Sequence, residues 1–212
     1  MEILKQISEA LLAGDDERVP ELTGQALQQG LTPAKILNEG LIAGMEEVGR
    51  QFKCHDVFLP DVLLAARAMT AGLEVLRPVL IRDGVPSRGK VVLGTVQGDL
   101  HDIGKNLVGI LLRGAGFEVI DLGHDVAPEA FAEAAEREGA AVVGMSALLT
   151  TTMPAMQRTV EALRARGLGG RVKTIVGGAP VTEEFARSIG ADAHAFDGTS
   201  AVERVTALVQ RA

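Results

Sequence analysis

Residues 91–115 read VVLGTVQGDLHDIGKNLVGILLRGA. The apolar run Val91–Val96 passes through a polar turn, QGDLHDIGKN, into a segment whose apolar residues recur at helical spacing. The same step repeats along the chain. Strands are expected at Val91–Val96, Glu118–Leu122, Ala141–Met145, Val172–Val176 and Ala193–Phe196. Helical segments fall near 103–115, 127–138, 153–166, 181–189 and 199–211. Strand–helix alternation of this kind implies a parallel sheet covered on both faces.

Five strands and five helices fit an α/β, Rossmann-like domain over 90–212, with the flavodoxin-like strand order 2-1-3-4-5. Upstream, residues 1–82 read as helices only. Ile3, Leu4, Ile7 and Leu11 mark the first helix; Val19, Leu22, Ala26 and Leu27 mark the second, with Asp16 as its expected cap. Thr32-Pro33 is an N-cap followed by proline in the first turn, ahead of Ile36, Leu37, Leu41, Met45 and Val48. Pro60 opens the last helix, with Leu63, Leu64, Met69, Leu73 and Leu76. Short joins between four amphipathic helices predict a small antiparallel bundle. Residues 83–89, rich in Gly, Pro, Ser and charge, read as the linker.

Composition excludes several classes. A net charge of −7 argues against a phosphate-binding nucleic-acid surface, and 3% aromatics with no Trp or Tyr argues against a base-stacking module. One cysteine, Cys54, forms no internal disulfide or cysteine cluster, which fits a reducing compartment. No secretory signal or bilayer-spanning run is read, so a cytoplasmic protein is expected, with no membrane or nucleic-acid partner.

In an open parallel sheet, ligands bind beyond the carboxyl ends of the strands, near the switch in strand order. The loops after strands one, three and four carry Gly98, Asp99, His101, Gly104, Ser146, Thr150, Thr152, Gly177 and Gly178. Within them Asp99-Leu100-His101 has a physical logic. A neutral imidazole is a good transition-metal ligand, and a carboxylate bonded to its other nitrogen fixes the tautomer and raises basicity. A hydroxyl at Thr152 or Ser146 would extend the relay. Protein metal sites normally use three or four side chains, yet this histidine has no partner at metal-ligand spacing. A macrocycle that supplies the remaining ligands, haem or a corrinoid, resolves the mismatch.

Gly98-Asp99-Leu100-His101-Asp102-Ile103-Gly104 resembles the D-x-H-x-x-G signature of cobalamin-binding domains. Ser146-Ala147-Leu148 fits that family's S-x-L element, and Gly177-Gly178 its Gly-Gly after the fourth strand. The resemblance implies a base-off cofactor with His101 below the cobalt as the metal ligand, Asp99 and Thr152 in relay, and the nucleotide tail in a slot beside the sheet. It also implies that Gly98, Leu100, Asp102, Ile103, Gly104, Ser146, Leu148, Thr150, Gly177, Gly178 and Gly198 line the cofactor. The helical half is similar to the cap in the cobalamin-binding region of methionine synthase, where a Phe and a Leu cover the methyl face; Phe52 and Leu59 match their spacing.

Nearly the whole chain resembles the stand-alone corrinoid proteins of methylamine, methanol and methyl-ether methyltransferase systems. That implies a methyl-carrying subunit in the transferase class, not catalytic alone, cycling between cob(I)alamin and methylcobalamin. Its implied partners are a substrate-specific methyltransferase, a second methyltransferase to the acceptor, and a reductive activator. Two rival functions share the motifs. One is the cobalamin subunit of an adenosylcobalamin-dependent mutase, which usually lacks such a cap. The other is a cobalamin-based sensor, which usually carries a DNA-binding module.

Overall fold

A computed structural model describes residues 2–83 and 87–210, so Gly84–Pro86 of the expected linker lie outside the described residues. Its contacts group the chain into two compact units. One is Met1–Pro86 with Gly114–Gly116, and the other is Ser87–Arg113 with Phe117–Ala212.

The first unit is helical: α1 (Glu2–Leu12), α2 (Arg18–Gln28), α3 (Pro33–Ile36), α4 (Ala43–Lys53) and α5 (Leu59–Arg82). A π-helical turn, Leu37–Ile42, joins α3 directly to α4, so these segments form the third of the four expected helices. Ile3, Leu4, Ile7 and Leu11 are all buried, as are Val19, Leu22, Ile36, Leu41, Met45 and Val48. Thr32 caps α3 by accepting a hydrogen bond from the Lys35 N–H, as its position before Pro33 implies. Two expectations need correction. Asp15, not Asp16, accepts the free N–H groups of Glu17 and Arg18 at the start of α2, while Asp16 pairs with Arg67. On α5 the buried face is Val62, Ala65, Ala68, Met69 and Leu76, and Leu63 and Leu64 are exposed. The apolar residues of that helix outnumber the positions one face can bury. The face that wins carries alanines, which suit a close approach; nearby on α5, a Cβ on Gly72 would sit 2.8 Å from a Leu41 methyl and 2.9 Å from one of Val19.

The π turn is also where α1 and the third helical run meet closely. Cβ atoms on Gly40 and Gly44 would lie 3.3 Å from Ile7 and 3.1 Å from Ser8. The Ser8 hydroxyl donates to the Gly40 carbonyl at 2.7 Å, giving that carbonyl a partner from another helix.

The second unit alternates β1 (Lys90–Thr95), α6 (Ile103–Gly114), β2 (Glu118–Asp121), α7 (Pro128–Glu138), β3 (Val142–Ser146), α8 (Pro154–Ala165), β4 (Lys173–Gly177), α9 (Glu183–Ile189), β5 (Ala193–Ala195) and α10 (Gly198–Gln210). All neighbouring strands are parallel, in the order β2-β1-β3-β4-β5 anticipated from the alternation. The central strands are nearly all apolar and buried, as a doubly covered sheet demands, while β2 is a polar edge strand and β5 a short one. Phe131 of α7 is fully buried, and a Cβ on Gly94 would come within 2.7 Å of its ring. Both β3 and β4 start one residue later than expected. Ser146 and Gly177 are therefore the last paired residues of the ladder, with Thr95 opposite Ser146 and Ser146 opposite Gly177. Strand order reverses between β1 and β3, so the crevice beyond their carboxyl ends is where the topology places a ligand.

Candidate functional site

The loop after β1 turns sharply at Gly98, whose φ of 85° favours glycine, and delivers Asp99 into the fold. Asp99 is fully buried. Its Oδ1 accepts the His101 main-chain N–H at 3.0 Å and lies 2.8 Å from the His101 ring Nδ1. Its Oδ2 accepts the Leu148 N–H at 2.8 Å, the Leu149 N–H at 3.2 Å and the Thr152 hydroxyl at 2.8 Å. Burial alone raises the Asp99 pKa. The donors from the His101 backbone and ring, Leu148 and Thr152 outweigh it and hold the carboxyl well below the usual carboxylate range.

An ionised carboxylate can only accept hydrogen bonds. In the neutral imidazole Nδ1 of His101 therefore carries the ring proton, and Nε2 keeps its lone pair. The His101 side chain is 52% exposed, so that lone pair belongs to a ring standing at the surface of the sheet edge. The Thr95 hydroxyl, buried at the end of β1, donates to the His101 carbonyl at 3.1 Å and fixes the backbone beneath the ring. Around this imidazole the same loops expose apolar side chains: Leu100, Ile103, Leu148 and Leu149, with Ile103 at 78%. An exposed lone pair set among exposed apolar groups suits a large, mostly apolar ligand with an electrophilic centre.

The expected residues divide. Asp99, His101, Thr152 and the Leu148 backbone form one hydrogen-bonded unit, in which Thr152, not Ser146, supplies the hydroxyl. Asp102 starts α6 by accepting the Asn106 N–H, and Gly104 in its first turn faces open space. Among the described residues, Ser146, Thr150 and Gly198 stand outside the Asp99 unit. Gly198 opens α10, where a Cβ would meet Leu111 at 2.8 Å. Gly177 and Gly178 meet backbone: added Cβ atoms would lie 2.9 Å from the Ala195 carbonyl oxygen and 1.9 Å from that of Ala147. Gly178 also has φ of 125°. Gly178→Ala is accordingly expected to cost about 3 kcal/mol by combined overpacking and backbone strain, read as a lower urea midpoint. In the helical unit, Phe52 is half-buried near the end of α4 and Leu59 is exposed at the start of α5.

Sequence reasoning missed Thr95, Lys105, Asp121 and Asp125. Lys105 is buried on α6 and ion-paired to Asp121 at 2.5 Å, and Asp121 also accepts the Gly123 N–H. A lysine in the first turn of an apolar helix was the available signal. Among the described residues no cluster of three or more His, Cys, Asp or Glu side chains is placed to hold a metal ion. A metal at His101 thus needs its other ligands from a macrocycle, and the donor set here fits that: one neutral nitrogen, an ionised partner behind it and an apolar surround.

Family models described as B12 binding domain match residues 89–206 and residues 3–77. The chain is 43% identical to a trimethylamine corrinoid protein of Methanosarcina mazei, over 97% of this chain and 96% of that one. Among solved structures it is similar to a chain of the methanol:cobalamin methyltransferase complex of Methanosarcina barkeri, with a TM-score of 0.89 and 30% identity, covering 100% of this chain and 81% of that one. A cobalamin-binding protein of Desulfitobacterium hafniense gives a TM-score of 0.79 at 30% identity, covering 97% and 98%.

Proposed function

The chain belongs to the B12-binding corrinoid proteins of methyltransferase systems and takes a cobalamin or related corrinoid as its cofactor, and we propose that it accepts a methyl group from a substrate-specific methyltransferase and passes it to a second one, with His101 as lower ligand of the cobalt. The observation that carries the ligand assignment is the surface imidazole whose Nδ1 is tied to a buried, ionised Asp99, leaving Nε2 free to coordinate. When bound, the corrinoid supplies the cobalt on which a methyl group is gained and given up. The protein supplies ligation, orientation and shielding. Asp99 keeps the His101 proton on Nδ1 and aims the ring, and Thr152 with the Leu148 and Leu149 amides keeps Asp99 in place. Gly98, Leu100, Asp102, Ile103, Gly104, Ser146, Leu148, Thr150, Gly177, Gly178 and Gly198 are proposed to line the corrinoid and its tail. Phe52 and Leu59 are proposed to shield the transferred methyl group from water.

Two neighbours support a methyltransferase partner: the trimethylamine corrinoid protein and the methanol:cobalamin methyltransferase complex. A reductive activator is proposed as a further partner, which would keep the corrinoid held by this chain in its methyl-accepting state. Residues 83–89 are proposed to join a helical domain, 1–82, to the corrinoid domain, 90–212. No helix among the described residues is long and apolar enough to cross a membrane. The free, exposed Cys54 supports placement in a reducing cytoplasm.

The test is to load the apo-protein with hydroxocobalamin, remove free cofactor, reduce the bound cofactor to the cob(I) state with a low-potential chemical reductant, and follow labelled methyl from a methylated amine or from methanol in the presence of the cognate methyltransferase. Label that stays with this chain, chased by a methyl acceptor only when a second methyltransferase is added, is expected. A chain that retains no cobalamin, or retains it with no label from either donor, refutes the carrier.

A further inference from the structure

The Gly98–Asp99 segment is also held by the loop between β2 and α7. The Asp125 carboxylate accepts the Gly98 N–H at 2.7 Å, and the Asp125 N–H donates to the Asp99 carbonyl at 3.0 Å. One residue thus grips successive residues of the His101 loop from both backbone polarities. Asp125 does so with φ of 54°, a left-handed conformation that costs a non-glycine residue free energy and persists only where the surroundings over-determine it. They do so here. Thr95 donates its N–H to the Gly123 carbonyl and accepts the Val126 N–H, both at 3.0 Å, pinning the loop to β1 on either side of Asp125. Lys105 and Asp121 anchor the same loop at its root.

We propose that Asp125 is a positioning residue for the cobalt ligand, setting the Gly98–Asp99 backbone so that the Asp99 carboxylate meets His101 Nδ1. Its hydrogen bonds go to the Gly98–Asp99 main chain and not to the ring. The Asp99 side chain is built into the β3–α8 loop; on the main chain its N–H donates to the Val96 carbonyl at 3.1 Å, and Asp125 adds a second tie at the Gly98 N–H and the Asp99 carbonyl. With both, the carboxylate has one direction available. The proposal rests on His101 being the ligand.

The experiment uses Asp125→Gly and Asp125→Asn in the full chain. Glycine accepts φ of 54° without strain and keeps the N–H to Asp99, so it removes only the carboxylate. Asparagine tolerates the same φ and keeps an acceptor oxygen for Gly98. Two readouts are taken: nitrogen NMR of the His101 ring in the apo-protein, and the affinity and absorption spectrum of bound hydroxocobalamin. In D125G the ring is expected to populate both neutral tautomers, and hydroxocobalamin binding to weaken about tenfold, as for one lost charge-assisted hydrogen bond. D125N is expected to stay near the parent in both. A D125G ring with the parent's single tautomer and unchanged affinity overturns the proposal, and so do equal losses in D125G and D125N. If the parent binds hydroxocobalamin without a histidine-ligated spectrum, the ligand reading fails on its own, and the apo-protein tautomer still decides the role of Asp125.

Discussion

Hydroxocobalamin bound to His101→Ala is expected to lose the absorption signature of nitrogen-ligated cobalt and to wash off the protein at least tenfold more readily than from the parent, roughly the scale on which even outer-shell partners affect metal sites. The same variant is expected to fold normally. His101 is half-exposed, and the Asp99 Oδ1 that loses the ring still accepts the backbone N–H of residue 101. The apo-protein's unfolding free energy should fall by no more than about 2 kcal/mol, for the loss of one partly exposed hydrogen bond to a charged group. Exogenous imidazole, small enough to enter the gap left by the ring, is expected to restore the signature in part. An unchanged spectrum in His101→Ala would remove His101 as the ligand, whatever the affinity.

Asp99 is the opposite case, where the larger loss is structural. Asp99→Ala strands the His101, Leu148 and Leu149 N–H groups around a buried void and leaves the Thr152 hydroxyl with the Leu149 carbonyl as its acceptor, at an expected cost of about 3–5 kcal/mol. Asp99→Asn separates structure from ligation. The His101, Leu148 and Leu149 main-chain N–H groups around this carboxylate can only donate, so the NH2 of an asparagine must face at least one of them. If its oxygen serves Leu148, Leu149 and Thr152, the NH2 faces the ring, and His101 then accepts at Nδ1 and carries its proton on Nε2. That tautomer has no lone pair for cobalt. Asp99→Asn is therefore expected to weaken His ligation nearly as much as His101→Ala, at about 2 kcal/mol in stability, near the middle of the range for one unsatisfied buried group.

The pH dependence follows with a definite sign. The folded-state pKa of Asp99 lies below its unfolded value of about 4. Its stabilising contribution is thus complete above that unfolded value and declines as pH falls toward the folded one. Denaturant unfolding should show a gap between parent and Asp99→Asn that is flat from pH 5 to 8 and narrows only in stronger acid. A gap that changes between pH 6 and 7 would point to a different titrating partner.

The sheet was legible from residues 91–115 outward because a buried parallel sheet writes itself as uninterrupted apolar runs. Its order and each helix followed, with strand bounds displaced by a residue. The Asp99–His101 pairing was legible because both ends lie two residues apart. Thr152 needed the resemblance, since a bond spanning 53 positions leaves no local trace. Thr95 and Asp125 had no comparable signal. Both bind main-chain atoms of the site loop, and a main-chain partner has no residue type to read. On α5, periodicity alone did not choose between the face of Leu63 and Leu64 and that of Val62, Ala65 and Met69, because the choice depends on what packs opposite.

The turn Leu37–Ile42 sets the phase of everything after it in the third helical run. One residue more than an α-helix requires rotates the continuing helix by about 100°. Met45 and Val48, which follow the turn, are buried at the setting it produces. Homologues that lack one residue in this turn should therefore show their apolar stripe shifted by one position in α4, and an alignment that spreads the gap elsewhere would assign Phe52 the wrong counterpart. Deleting a single residue from 37–42 here acts as a frameshift in space: the amino acids downstream are unchanged, yet each points where its neighbour pointed.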